Sequence, residues 1–259
     1  ADPAILLSDA WSNSTGDLAG KGGGTGWFAG SLWTGGAGVN GNLVASSLPG
    51  VDGSSIRVAP NGVTSRFLST IYTTGSSPYY ISFLFNANPY DSVGFAGVSV
   101  FNSGSSVPSN PGDNLLIGMP SGELGFDWTN RGAPSHPATN NTNYLALVGI
   151  TAGSGSTTNV TMYVSTDLMI SGTALAATTP WDSMTNEPGF VFDSVNFAGG
   201  YTPGSIGIAG LAMADNPAEA VAFTQSVVVP EPGSLLTAVA GVAMSLAAAR
   251  RWRHLRWGL

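Results

Sequence analysis

The chain has 259 residues, no cysteine, 36 glycines, 16 prolines and only 9% charged residues beside 43% hydrophobic ones. The apolar content excludes wholesale disorder, glycine without a fixed period excludes collagen, and the lack of cysteine excludes a disulfide framework, zinc–cysteine sites and a thiol nucleophile. Charge is lopsided: residues 1–229 hold 14 acidic against 4 basic side chains, a net of −10, while Arg250, Arg251, Arg253 and Arg256 stand together far down the sequence. An acidic body repels phosphate backbones, so nucleic acid is not an expected partner.

Taken in chain order, the opening ADPAILLSDAW lacks the charged start and the long apolar run of an export signal. The stretch GKGGGTGW, residues 20–27, has the glycines of a phosphate-binding loop but not the lysine–hydroxyl ending or the following helix, and reads as a plain loop. Short apolar runs bounded by Gly, Pro, Asn and Ser then recur: SIRVA (55–59), TSRFLSTI (64–71), YYISFLFN (79–86), FAGVSVF (95–101), NLLIGM (114–119) and ELGFDW (123–128). NYLALVGIT (143–151), NVTMYVS (159–165), GFVFDSVNF (189–197), SIGIAGL (205–211) and TQSVVV (224–229) follow. In ELGFDW, Leu124, Phe126 and Trp128 share one face; in NVTMYV, Val160, Met162 and Val164 do. PSGEL and AGSGSTT read as hairpin turns. One short helix is predicted, with Asn216 as cap, Pro217 in the first position and Glu219 in the third. Eleven predicted strands and almost no helix mean a β-sandwich or barrel.

Beyond the body, Gly233 to Ala249 is a run of 17 residues without a charge. As a helix it would reach about 25 Å, near the lower limit for a bilayer core. Arg250, Arg251 and Arg253 follow directly and act as the stop on the cytoplasmic side, which puts the body across the membrane. Pro230, Glu231 and Pro232 precede the run and hold an extended segment just outside it. The stretch VPEPGSLLTAVAGVAMSLAAARRWRHLRW, from Val229 to Trp257, resembles a PEP-CTERM sorting signal: a Pro-Glu-Pro motif, one transmembrane helix and an arginine-rich end. The resemblance implies an exosortase as processing partner and a membrane-anchored precursor. It also implies delivery to the cell surface or extracellular matrix of a Gram-negative-type bacterium. The domain division that follows is a sandwich at 1–225, a Pro-Glu-Pro junction at 226–232, and a transmembrane helix with an arginine-rich tail at 233–259.

AGSLWTGG, SSIRV, SRFL, YYISFLFN, FAGVSVF, LLIGMPSGELGFDW and YLALVGITAGSGSTTNVTMYVSTD run in an order similar to laminin-G-like jelly rolls of the concanavalin-A-like lectin and glucanase fold. The likeness implies an all-β, two-sheet antiparallel jelly-roll sandwich, to which the tail adds one C-terminal transmembrane helix. It departs from the pattern where Ser165-Thr166-Asp167 stands in place of Asn-Pro. Glucanases of this fold carry Glu-x-Asp-x-x-Glu on one strand. This chain has four glutamates, and its nearest pair, Glu123 and Asp127, is about 13 Å apart by strand rise, beyond the usual ~5–9.5 Å of paired glycosidase carboxylates.

No enzyme, and so no catalytic residue, is therefore expected. His136 is the one histidine of the body and lies in a turn-rich loop, too little for a triad or a histidine metal site. Calcium, held by Asp and Asn oxygens, is the single cofactor to consider, and no dense acidic loop supplies it. Trp27, Trp33 and Trp181 are the candidate glycan-binding residues, because aromatic faces stack on pyranose rings; burial in the sandwich core is the competing reading of each. The expected function is a structural or adhesive surface protein meeting extracellular polysaccharide, with a carbohydrate-binding lectin-like module as the alternative and a glycoside hydrolase behind it.

Overall fold

The computed structural model describes residues 4–9, 16–17, 20, 22–35, 42–45, 54–58, 63–75, 78–87, 95–102, 115–119, 124–127, 139, 141–200 and 206–228. They form two antiparallel sheets packed face to face, a β-sandwich. The larger, nine-stranded sheet runs β13 (Asp182–Pro188), β12 (Thr157–Ser165), β11 (Thr142–Ala152), β7 (Tyr79–Ala87), β15 (Ile206–Ala214), β5 (Ser54–Val58), β4 (Asn42–Ala45), β2 (Gly16–Asp17), with β1 (Ile5–Asp9) also paired to β15. The six-stranded sheet runs β10 (Gly125–Asp127), β9 (Leu115–Met119), β8 (Phe95–Phe101), β14 (Val191–Gly200), β6 (Val63–Thr73), β3 (Thr34–Gly35).

The core lies between the sheets, and strand alternation supplies it from both sides. Ile81, Phe83, Phe85, Ala146, Val148, Ile150, Val160 and Met162 come from the larger sheet; Val98, Val100, Ile117, Phe126, Phe192, Val195 and Phe197 come from the smaller. Each buried Phe or Ile contributes about 1.5–3 kcal/mol relative to exposure. A second apolar layer covers the outer face of the larger sheet. Leu84, Leu145, Leu147 and Ala209 pack there against Leu175 of α1 (Gly172–Ala176) and Ala220 and Val221 of α2 (Pro217–Gln225). This explains NYLALVGIT: a strand buried on both faces reads as a continuous apolar run, not as an alternation. The larger sheet is thus covered on both sides.

In β15 the register to β7 shifts between Ala209 and Ala212, at Gly210 with φ +61°. The bulge keeps Ile208, Leu211 and Met213 together in the core despite their odd spacing. The Thr224 hydroxyl of α2 donates to the Gly210 carbonyl at 2.8 Å. A Cβ on Gly210 would run against Thr224 and Val227.

Ten of the eleven predicted strands coincide with observed ones within a few residues, and AGSGSTT is the β11–β12 hairpin. TQSVVV is the exception: Thr224 and Gln225 end α2, and a turn follows. Asn216 and Pro217 start that helix as predicted, the Asn216 side chain accepting from the Glu219 amide at 3.0 Å. Sequence reading missed β1, β2, β3, β4 and β13, which are short or polar, and missed α1. Pro230, Glu231, Pro232, Arg250, Arg251, Arg253 and the apolar run between them lie outside the described residues, as do His136 and Glu123. Among the described residues no helix is long and apolar enough to cross a membrane.

Candidate functional site

Two of the three predicted glycan-binding tryptophans belong to the core. Trp33 is 1% exposed and Trp27 8%. Their rings meet edge to face at 5.1 Å, and the Arg66 guanidinium covers Trp27 at 4.4 Å from its ring centre. The Trp27 indole N–H donates to the Ser8 carbonyl at 3.2 Å, and that of Trp33 to Asp9 Oδ2 at 3.3 Å. Neither face is left for a sugar. Trp181 is half-buried, packs against the core, and donates its indole N–H to the Leu124 carbonyl at 3.3 Å. The expectation of a tryptophan platform is corrected: an indole inside a sandwich buries its large surface and finds a partner for its single N–H.

Trp27 and Trp33 instead pack around an ion pair. Arg66 of β6 faces inward and reaches Asp9 of β1 at 3.3 Å, so the pair bridges the two sheets. Arg66 also donates to the carbonyls of Gly23 at 2.8 Å and Ser31 at 3.1 Å. Burial pulls its pKa below the ordinary arginine value, and Asp9 opposes that shift. Gly24 and Gly26 have positive φ, and a Cβ on either would strike the carbonyls of Ser8 or Leu6. The glycine-rich loop is therefore a close-packed cover for β1.

The same loop shapes the exposed site. β6 pairs with β14 at Phe67–Ser194 and again at Tyr72–Phe192, so Leu68, Ser69, Thr70 and Ile71 stand opposite Asp193 alone. The bulged segment turns to the loop instead: the Ser69 amide donates to the Gly26 carbonyl at 2.9 Å and the Phe28 amide to the Phe67 carbonyl at 3.1 Å. Between them opens a groove of about 380 Å³ lined by Phe28, Phe67, Leu68, Ser69, Thr70, Ile71 and Asp193. Phe28 is 59% exposed, Phe67 46% and Ile71 66%. These are among the largest apolar side chains left at the surface, and they gather on the outer face of the smaller sheet. Asp193 lies beside them and accepts from the Ser194 hydroxyl at 2.7 Å.

Such a groove can hold a flat, mostly apolar ring face and offer it hydroxyl and carboxylate oxygens at the rim. Sequence reasoning missed it. In SRFLSTI both strand faces carry apolar residues, so alternation alone does not say that Phe67 and Ile71 point out and Arg66 in. Asp182 is buried in β13 and accepts from the Ser183 amide at 2.8 Å. Among the described residues no group of three or more histidine or acidic side chains could hold a metal ion.

No family model matches the chain, and no curated protein does. Solved structures match at the level of fold. An alginate lyase is 16% identical with a TM-score of 0.44, the match covering 81% of this chain and 97% of that one. The endo-beta-1,4-glucuronan lyase of the fungus Trichoderma reesei is 8% identical with a TM-score of 0.47, over 80% and 98% of the two chains. The structure of HCR/D-Sa-GBL1/C reaches a TM-score of 0.50 at 13% identity; the match covers 85% of this chain and about half, 51%, of that one. Polysaccharide-degrading enzymes thus stand among the proteins matched. The expectations of a structural or adhesive protein and of no enzyme are withdrawn, since lyases stand among the proteins matched; the likeness itself is one of fold. A search for paired carboxylates tests for glycoside hydrolysis alone, and its failure does not make a sandwich passive.

Proposed function

We propose that the sandwich acts on polysaccharide, seating a neutral glycan on the outer face of the six-stranded sheet in the groove of Phe28, Phe67, Ile71 and Asp193. The observation that carries this reading is the pair of exposed phenylalanines over a groove with a carboxylate at its rim. Monomers rarely leave such apolar surface open without a partner for it. A pyranose ring fits because one side presents C–H groups to an aromatic face while its edge presents hydroxyls to oxygen acceptors. The body's net charge of −10 favours a neutral glycan over an anionic one. The finer form of the fold belongs to the same reading: a jelly roll of the concanavalin-A-like kind.

The test is titration calorimetry of the full chain with cellohexaose, laminarihexaose, xylohexaose and mannohexaose, and with an alginate oligomer as the anionic control. Binding of a neutral hexasaccharide that Phe67→Ala and Phe28→Ala each weaken about tenfold or more is the expected result. Binding that ignores both substitutions, or none at all, rejects the reading. Shortened chains after incubation would show that the bound glycan is also cleaved.

For the tail we propose a sorting function, supported by residues 229–257 of the sequence alone. Pro230, Glu231 and Pro232 form the motif an exosortase recognises, and Arg250, Arg251 and Arg253 stop the transmembrane run. Replacing the three motif residues with alanine is expected to leave a full-mass, membrane-held precursor. Unchanged release in that mutant, read by intact mass, would reject the proposal.

A further inference from the structure

A second, larger groove opens on β6 and β14 where the phenylalanine groove stops. It holds about 710 Å³, and Thr73, Gly75, Ser156, Thr157, Gly189 and Val191 are among the residues that line it. The two grooves adjoin along the same pair of strands. Ile71 and Asp193 line the first; Thr73 and Val191, two residues along β6 and β14, line the second. Thr73 and Val191 are direct register partners. Their neighbours Tyr72 and Phe192 are buried in the core, so by alternation Thr73 and Val191 face outward. From Ser194, opposite Phe67, to Val191 is about 10 Å by strand rise. The second groove then carries on past the ends of both strands to the β11–β12 hairpin at Gly155 and Ser156.

The far wall of this groove is held in place. The buried Thr74 hydroxyl donates to the Phe190 carbonyl at 3.0 Å and accepts from the Phe190 amide and the Thr158 hydroxyl, each at 2.8 Å. That knot ties the approach to β14 onto β12 of the larger sheet. Asn186 holds the hairpin tip, its side-chain oxygen accepting from the Ser154 amide at 3.1 Å and hydroxyl at 2.9 Å. A Cβ on Gly189 would come within 3.0 Å of the Ser156 carbonyl, and one on Gly75 within 3.3 Å of the Thr157 carbonyl, so both turns lean on the hairpin through glycine. A groove fixed in this way gives up little freedom when a ligand enters. Thr73 and Ser156 are exposed, and their hydroxyls can both donate and accept. Among the described residues none that lines the second groove is charged, and Asp193 stands where the two grooves meet. The hydroxyls of a neutral sugar match that lining, and an anionic sugar finds no counter-charge in it.

Resting on the glycan reading above, we propose that the two grooves form one track, which seats consecutive units of a neutral polysaccharide chain, the first on Phe28 and Phe67 and later ones between Thr73 and the hairpin at Ser156. The track makes the site favour long chains over short ones.

The experiment is titration calorimetry of the full chain with whichever neutral hexasaccharide binds best and with the disaccharide of the same sugar. The hexasaccharide is expected to bind about tenfold tighter or more. Ser156→Arg puts a long side chain into the second groove and is expected to remove that advantage, leaving the disaccharide's affinity unchanged within about twofold. Thr73→Val removes a hydroxyl at nearly constant shape and should weaken the hexasaccharide alone, by about threefold or more. Both positions are exposed, so thermal melts of the two variants should match the wild type. Phe67→Ala should weaken both lengths. Equal affinity for the two lengths, or hexasaccharide binding that needs Phe67 but ignores Ser156→Arg and Thr73→Val, sinks the track and spares the phenylalanine groove. An equal loss for both lengths in Ser156→Arg also overturns it, because the first ring would then sit in the second groove. A wild-type chain that binds no neutral glycan sinks both readings.

Discussion

Arg66 Nη1 and Asp9 Oδ2 lie 3.3 Å apart between the two sheets, each side chain about 95% buried, at 6% and 4% exposure. A buried pair is worth little against an apolar replacement, but breaking it strands a charge. Asp9→Ala is therefore expected to destabilise the fold by about 3–5 kcal/mol, and Arg66→Met by a similar amount. The double variant Asp9→Leu/Arg66→Met should lose less than either single one. Urea midpoints of the three variants decide it; a double variant as unstable as the sum of the singles would mean that the two side chains act independently, with no coupling across the pair.

The helices on the outer face of the larger sheet meet at a glycine. A Cβ on Gly172 would strike the carbonyl of Pro217, so α1 and α2 touch backbone to backbone there. Gly172→Ala must push the helices apart over Leu175, Ala220 and Val221, and is expected to lower stability by about 1–3 kcal/mol. Asn216→Ala, which removes the cap of α2, should cost about 1 kcal/mol. Thermal melts compare the two; Gly172→Ala without effect would mean that α1 does not hold its place against α2.

The two kinds of phenylalanine separate stability from recognition. Phe67→Ala and Phe28→Ala remove exposed side chains and should shift stability by no more than about 0.5 kcal/mol. Phe83→Ala removes a side chain with 0% exposure and should cost about 3–5 kcal/mol. Circular dichroism melts check the contrast. A large loss at Phe67 would make it a packing residue and remove it from the groove.

Two tyrosines set an alkaline limit. Burial raises the pKa of Tyr72, with Tyr79 adding to the shift; burial also raises that of Tyr163, with Tyr80 adding. A phenol whose folded pKa lies above its unfolded value of about 10 binds its proton more tightly in the native state. Its contribution is complete below pH ~10 and is lost as pH rises through the folded value. Stability should hold flat to about pH 9 and fall above pH 10, and Tyr72→Phe should shallow the fall. Urea unfolding at stepped pH measures this; an identical slope in Tyr72→Phe would assign the loss to other groups.

The β class was legible in the sequence because local chemistry sets it. Turn residues bound short β-branched and aromatic runs, and Asn216-Pro217 starts a helix wherever it stands. The apolar run ending in Arg250, Arg251 and Arg253, after Pro230, Glu231 and Pro232, is likewise a purely local signal, and the sorting proposal stands on it alone. Which face of a strand is buried is not local. Trp27, Trp33, Phe28 and Phe67 are equally apolar in the sequence. Only the pairing of β6 with β14, broken opposite Asp193, turns Phe67 out while the loop folds Trp27 under Arg66. Likewise Ser99 and Asn196, 97 residues apart in sequence, become neighbours through a register that no short-range pattern encodes. Sequence by itself determined the β class, the longer strands and the start of α2, since their propensities act within a few residues. Tertiary structure decided the site, because burial and register are set by contacts between distant strands.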